Sequence, residues 1–390
     1  MGSVQWPAMI FFLAAVSFII WIYLALARGG FWKIPRSTGL APLQPAANSL
    51  PLVAAVVPAR NEADVVGQCI TSLLLQRDVR MHIFLVDDGS TDGTSAAAAA
   101  AANSAQPGRL TVTQAEPLQP GWSGKLWAVQ QGIERAKSLH PDYFLLTDAD
   151  IVHSADNVQR LLAHAESGNY DLVSLMVKLH CQSFAERALI PAFVFFFLML
   201  YPPAWIANPR RKTAGAAGGC ILIRPDALFK AGGIAAIRHE IIDDCALAAR
   251  VKQSGGRVWL GLAPDTHSIR PYCSFSAIGR MISRAAFNQL QHSILLLLVA
   301  IVGLAITYLS PPALLLSHHL VPALLGAAAW LLMAICFWPT IRLYGLNPLW
   351  TLLLPAIALF YMGATVHSAF KFWTGKGGEW KGRVQDPVKS

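Results

Sequence analysis

The stretch MHIFLVDDGSTDGT (81–94) decides the fold. Its first half, His82 to Val86, is an apolar run with the length of a buried strand, and it stops at Asp87-Asp88-Gly89-Ser90. Further along, YFLLTDAD (143–150) repeats the arrangement, with Tyr143 to Leu146 running into Asp148-Ala149-Asp150. Strands that are apolar on both faces belong to sheets covered on both sides. Carboxylates at the carboxyl ends of such strands fall in the crevice where open α/β sheets bind ligands. Two aspartates one residue apart can share a divalent cation, which can hold a diphosphate through its oxygens. Together these features imply a nucleotide-activated substrate.

Around these two stretches the chain alternates. A strand at 52–57 leads to a helix near 64–76, the strand at 81–86 to a helix near 92–103, and a strand at 109–114 to a helix at 123–137. The strand at 143–147 ends at the second acidic motif. Short apolar runs alternating with helical patterns predict a parallel sheet built from βαβ units. The alanine run at 96–102 is plain helix, started by Thr91 or Asp92 as its cap. Beyond Asp150 the alternation weakens to strands at 171–179 and 220–223 and a helix at 243–251.

Several residues along this frame could do chemistry. VPARNE (57–62) closes the first strand: Pro58 ends the ladder and Arg60, Asn61 and Glu62 land at the ligand edge. In the first acidic motif a carboxylate, Asp87 or Asp88, can accept hydrogen bonds from a base or ribose, and Gly89 lets the backbone approach a ligand. A helix-capping turn explains the same residues. Gly121-Trp122-Ser123-Gly124-Lys125 opens a helix whose free N–H groups, with Lys125, suit a phosphate, although its spacing is not that of a P-loop. Glu240-Ile241-Ile242-Asp243-Asp244 places acids at a helix start, where the dipole alone could account for them. A reaction joining a sugar to a hydroxyl needs a base for the hydroxyl proton, and Asp244 or Asp243 is the candidate. His153 and His267 read as structural. Arg284, just before the C-terminal apolar region, suits either lipid headgroups or a diphosphate.

Composition sets the surroundings. Of the 390 residues, 54% are hydrophobic and 14% charged, too apolar for an ordinary soluble protein. Pro7 to Leu26 carries no charge and is long enough to cross ~30 Å of hydrocarbon. It reads as a retained anchor because no basic residue precedes it. The region from Ser293 to Phe370 predicts spans near 294–310, 319–338 and 348–369. Arg28, Lys33 and Arg36 after the first span place the middle of the chain in the cytoplasm. Three full C-terminal spans would then put the basic tail on the opposite side, against that same rule. The segment 188–207 is strongly apolar, but Pro191, Pro202 and Pro203 argue for a membrane-surface or re-entrant element. The net charge of +9 is largely juxtamembrane, where lysine and arginine favour anionic headgroups. With no zinc-finger spacing or basic helix, a nucleic-acid partner is excluded. The six cysteines lack paired metal spacing and read as reduced, buried residues.

Taken in order, VPARNE (57–62), DDGSTDGT (87–94), GWSGK (121–125), DAD (148–150), GG (218–219) and IDD (242–244) resemble the family-2 glycosyltransferases, inverting enzymes with a GT-A fold. The resemblance covers roughly residues 51–290. It implies a Rossmann-like, mostly parallel sheet with flanking helices, to which the apolar segments add an N-terminal anchor and C-terminal transmembrane helices. By this resemblance Asp88, with Asp87 and Glu62, holds the uridine of a UDP-sugar. Asp148 and Asp150 sit at the ribose and at a metal, Mg²⁺ or Mn²⁺, and Asp244 is the catalytic base. Pro58, Arg60, Lys125, Gly218, Gly219 and Arg284 complete the expected donor site.

The anchor, the C-terminal spans, the run SRAAFNQL (283–290) and the terminal EWKGR (379–383) are similar to hopene-associated and carotenoid glycosyltransferases. Met281-Ile282-Ser283-Arg284-Ala285 keeps the arginine of the Gln/Arg-x-x-Arg-Trp signature. It lacks the tryptophan and the first polar residue, which argues against processive synthesis and a ceramide acceptor. The expectation is a multi-pass enzyme of the bacterial cytoplasmic membrane that delivers a sugar to a polycyclic or polyisoprenoid lipid, as in hopanoid biosynthesis. Its expected organisation is an anchor and basic flank (1–36), a linker (37–50), a cytoplasmic catalytic domain (51–292), a transmembrane region (293–370) and a basic tail (371–390). A sugar nucleotidyltransferase and a non-enzymatic lipid transporter or scaffold are the competing readings.

Overall fold

The computed structural model describes residues 5–34, 50–375 and 377–378. The predicted linker up to residue 49, Arg36 and the tail from residue 379 lie outside the described residues. Two compact units divide the rest: 50–180 with 205–271, and 5–34 with 181–204 and the chain from Tyr272 onward.

The first unit is built on an eight-stranded sheet: β1 (Leu52–Ala59), β2 (Arg80–Asp87), β3 (Leu110–Gln114), β4 (Tyr143–Leu146), β5 (Ile151–Val152), β6 (Leu172–Lys178), β7 (Ile221–Ile223) and β8 (Val258–Ser268). Their order is β3-β2-β1-β4-β7-β6-β8-β5. β1, β2, β3 and β4 run parallel, as the alternation predicts, and β6 runs parallel to β8. β7 and β5 are antiparallel to their neighbours, so the sheet is mixed and mostly parallel.

Alternate residues of β1 explain why it is apolar throughout. Val53, Ala55 and Val57 pack with Val66, Ile70 and Leu73 of the helix Ala63–Leu74 and with Ala98 of the helix Thr94–Ala105. On the opposite face Val56 meets the helix Gly124–Ala136, where a Cβ added to Gly132 would stand 2.5 Å from Val56 Cγ1. Only glycine fits there. That close approach fixes how far the helix carrying Lys125 stands from the sheet.

Three expectations need correction. The alanine helix begins after Gly93 (φ 89°), so neither Thr91 nor Asp92 is its cap residue; Asp92 Oδ1 still accepts from Thr94 N at 3.1 Å. β8 escaped notice because glycine and proline interrupt its apolar run, and β5 because it has two residues. The cysteines are not uniformly buried: Cys273 is exposed and Cys181 half-buried, while Cys69, Cys220, Cys245 and Cys336 are buried.

The second unit is helical. Among the described residues, five helical stretches have the length and apolar character to cross a membrane: Ala8–Leu26, Phe184–Ala207, Ile294–Leu314, Leu320–Leu343 and Pro348–Trp373. The N-terminal helix and the three C-terminal stretches lie where the sequence places its apolar segments. Within Phe184–Ala207, helix Phe184–Leu200 continues through Pro191. Two things hold it. A capping box of Ser183 and Glu186 starts it, and neighbours bury it: Phe195 packs on Phe31 and Phe337, and Tyr361 Oη donates to Leu189 O at 2.9 Å. Tertiary packing offsets the one hydrogen bond that a proline removes.

Candidate active site

Parallel strands bring their ends together. Ala59 pairs with Asp87 across β1 and β2, and Val56 with Leu146 across β1 and β4. The sequences that follow these strands, 60–62, 88–90 and 147–150, therefore share one edge of the sheet.

The first two form a braced pair of loops. Asn61 N donates to Ser90 Oγ at 2.9 Å, Thr91 N to Asn61 Oδ1 at 2.9 Å, Glu62 N to Thr94 Oγ1 at 2.8 Å and Ala63 N to Asp92 Oδ2 at 3.0 Å. Gly89 takes φ 70°, which lets the turn fold back at no steric cost. Asp87 is buried and accepts from Ser90 N at 2.8 Å, from Ser95 Oγ and from Gln114 Nε2. Burial opposes its ionisation, but these donors outweigh it and hold the carboxyl below the usual range. Asp88, also buried, has Arg60 beside it: the guanidinium lies 3.4 Å from Oδ2 and donates to the Asp88 carbonyl.

A second cluster gathers residues remote in sequence. Ser123 caps the helix Gly124–Ala136 by accepting from Leu126 N, which aims Lys125 at the edge. Its ammonium lies 3.0 Å from Asp148 Oδ1 and 3.2 Å from Asp243 Oδ2. Burial disfavours that charge, yet Asp148, Asp243 and Asp244 together hold the lysine above its ordinary range. Asp243 and Asp244 open the helix Asp243–Gln253. Asp244 Oδ2 accepts from Gly218 N at 2.8 Å and Oδ1 from Cys245 N at 2.7 Å. Burial, and then the charge of Asp243, push Asp244 up to about 6. Asp148 is raised too, by burial and the neighbouring Asp150 and Asp243, against the pull of Lys125. A cavity of about 30 Å³ beside Lys125, Asp148, Gly218 and Asp244 has room for one water; Pro58 is part of its wall.

Gly218 and Gly219 are placed by a buried relay. Asn157 Nδ2 donates to His153 Nδ1 at 3.0 Å, His153 Nε2 donates to Thr147 Oγ1 at 3.0 Å, and Thr147 Oγ1 donates to Gly219 O at 2.8 Å. Burial lowers His153 to about 3, so the ring stays neutral and the relay keeps its direction. The histidine is structural, as expected, but it orients the turn whose N–H meets Asp244.

A third grouping was missed in sequence. Arg270, two residues beyond β8, places Nε 3.1 Å from Asp150 Oδ2 and Nη2 against Glu62. Ser268 Oγ also donates to Asp150 Oδ2, at 3.0 Å. Finding it required β8, and β8 was not recognised. Arg284 belongs to the helical unit, at the end of the helix Phe275–Ser283.

Whether these residues suit a divalent ion is a question of donor chemistry. Asp148 and Asp150 offer hard oxygens, the type Mg²⁺ and Mn²⁺ prefer. No three His, Cys, Asp or Glu side chains gather into a ligand set among the described residues. Mg²⁺ commonly needs only one or two carboxylates when substrate phosphates supply the rest, so the pair fits an ion that arrives with a diphosphate.

Sheet, edge and clusters together define a GT-A glycosyltransferase fold. Residues 54–232 match the profile of Glycosyl transferase family 2. Among solved structures, the mannosyltransferase PcManGT from Pyrobaculum calidifontis, in complex with GDP-Man and Mn²⁺, is similar at 17% identity and a TM-score of 0.54. That similarity covers 93% of this chain and 99% of the other. Glucosyl-3-phosphoglycerate synthase from Mycobacterium tuberculosis, in complex with Mg²⁺ and UDP, is 18% identical over 60% of this chain and 79% of its own, with a TM-score of 0.37. S. aureus TarS is 17% identical over 60% of this chain and 40% of its own, with a TM-score of 0.39. No curated protein matches the sequence.

Proposed function

We infer that the chain moves a sugar from a nucleotide diphosphate, UDP in the first instance, to a hydroxyl of a membrane lipid, with inversion. The observation that carries this reading is the convergence of Lys125, Asp148, Asp243 and Asp244 at the carboxyl edge of the sheet. Four groups from three separated segments serve no stability purpose that an apolar contact would not serve better.

In this reading Asp87 and Asp88, with Arg60 and Glu62, take the nucleoside. Asp148 and Asp150 would hold Mg²⁺ or Mn²⁺, which supplies positive charge to a diphosphate leaving group when bound. Lys125 adds a fixed cation at the same edge. The acceptor oxygen attacks the anomeric carbon, the bond from that carbon to the diphosphate oxygen breaks with its electron pair leaving on the diphosphate, and Asp244 takes the acceptor proton. A carboxylate raised to about 6 is ionised at neutral pH and a stronger base than an exposed aspartate. Two backbone donors, Gly218 N and Cys245 N, fix its orientation.

The lipid acceptor is inferred from the apolar helices in the same chain. Connectivity supports a particular arrangement for them. β6 and β7 pair in one sheet, so the chain before residue 181 and after residue 204 lies on one side of any membrane. Segment 181–204 therefore enters and leaves from that side, which favours the re-entrant or interfacial reading of Phe184–Ala207 over a single crossing. Arg28 and Lys33 after the anchor favour the cytoplasm for the sheet. The hopanoid reading rests on SRAAFNQL (283–290) and the order of the apolar segments.

The test is release of UDP from a labelled UDP-sugar with the label partitioning into lipid. A nucleotidyltransferase would release no UDP, converting a UDP-sugar only when pyrophosphate is added and then to UTP and a sugar phosphate, and a transporter or scaffold would release nothing. Lipid profiles of a deletion strain and its complemented parent would then name the acceptor.

A further inference from the structure

We propose that Arg270 is a resident counter-cation, bound to Asp150 and Glu62 until a divalent ion and the donor diphosphate displace it. The inference rests on the reading of Asp148 and Asp150 as the metal pair and goes beyond it by naming what the metal must compete with. The side chains of Glu62 and Asp150 are only 9% and 14% exposed, and the guanidinium spans both. Two largely desolvated carboxylates on one edge need a cation close by, and Arg270 supplies it from a segment 120 residues after Asp150.

The oxygen that Arg270 binds, Asp150 Oδ2, also receives the Ser268 hydroxyl. Two donors already surround it. A divalent ion coordinating that oxygen needs a lone pair that these two donors now take, and its charge repels a guanidinium on the same atom. Arg270 must then move. Its side chain is 28% exposed, more open than either carboxylate, so its path away from Asp150 is toward solvent at the ligand edge. A diphosphate bound there is the natural new partner, because a guanidinium fork matches phosphate oxygens in pairs. Metal and donor would thus bind with positive coupling: the donor's phosphates accept the arginine that the metal expels.

The experiment measures Mn²⁺ binding to the full chain in detergent by the electron paramagnetic resonance of free Mn²⁺, with and without UDP. Arg270→Gln removes the competitor, so Mn²⁺ alone should bind about tenfold tighter than to the parent, the gain expected if the released state of Asp150 is about one-tenth populated. Arg270→Lys keeps the charge and loses the fork, and should lie between. The factor by which UDP tightens Mn²⁺ binding should shrink in Arg270→Gln, since that factor is the coupling itself. If Arg270→Gln fails to fold, because two carboxylates are left without their cation, the lysine variant decides alone.

Mn²⁺ binding no tighter in either folded variant than in the parent overturns the proposal and leaves Arg270 as a brace. Asp150→Asn separates the two levels of inference. If it binds Mn²⁺ with UDP as the parent does, the metal is not on Asp150, and both the metal reading and the proposal fall. If it binds weakly while the arginine variants match the parent, only the proposal falls.

Discussion

Two acidic strand ends, at β2 and at β4, use the same residue type in opposite ways. Asp87 is satisfied by neutral donors from its own neighbourhood: Ser90, Ser95 and Gln114. Asp148 and Asp150 are satisfied by cations from elsewhere, Lys125 and Arg270. The consequence appears in proton affinity. Local hydrogen bonds hold Asp87 below the usual range, whereas burial and neighbouring acids push Asp148 and Asp244 above it. The first end is built to be a stable anion in a rigid loop. The second concentrates negative charge at a cost to the fold, which is the arrangement that recruits a cation or a proton.

The largest effect that would break this contrast is at the metal pair. Asp148→Asn should lower transfer by about 100-fold or more, with little loss of thermal stability because the residue is partly exposed and already raised. Excess chelator should do the same to the parent. Wild-type turnover in chelator would remove the metal from the account.

The nucleoside end should respond in binding. Asp88→Ala is expected to weaken UDP about tenfold by calorimetry without metal, consistent with a lost charged hydrogen bond. Equal affinity would return the motif to a braced turn with no ligand.

Stability separates the two ends by sign. Asp87 has a depressed folded value, so its contribution is present above the unfolded carboxylate range and is lost as pH falls through the folded value. Asp87→Asn should therefore destabilise at pH 7, by about 2 kcal/mol for a charged hydrogen-bonding group. Asp244 is the reverse. Its raised value means the fold prefers the neutral form, a contribution present below the unfolded value near ~3.9 and lost as pH rises through about 6. Asp244→Asn should leave denaturant unfolding at pH 7 unchanged or slightly shifted toward greater stability. Destabilisation of the same size in the two variants would remove the distinction drawn here.

The same contrast explains what the sequence revealed. β1, β2 and β4 were legible because each is a continuous apolar run ending in a charge, and their ends carry Arg60, Asp87, Asp88 and Asp148. The helix opened by the segment 121–125 was legible for the same local reason, whereas Ser123 as its cap comes from the structure. Arg270 was not, because it depends on β8, whose register with β6 and β5 is a tertiary property. The pairing of Lys125 with Asp243 was hidden likewise: nothing near either residue names the other. Helix Phe184–Leu200 accommodates Pro191 because propensity describes an isolated helix, while Phe31, Phe337 and Tyr361 hold this one.

The most direct test of the account is the paired measurement on Asp244→Asn and Asp243→Asn. The two follow one another on a helix and point about 100° apart, and only Asp244 is oriented by Gly218 N. Asp244→Asn should bind UDP-sugar calorimetrically as the parent does, yet lose transfer of label into lipid by about 100-fold or more, the size of a missing general base. In the parent, transfer should fall as pH drops through about 6, because only the carboxylate accepts the proton. Normal turnover in Asp244→Asn with transfer abolished in Asp243→Asn would contradict the assignment and reverse the two roles.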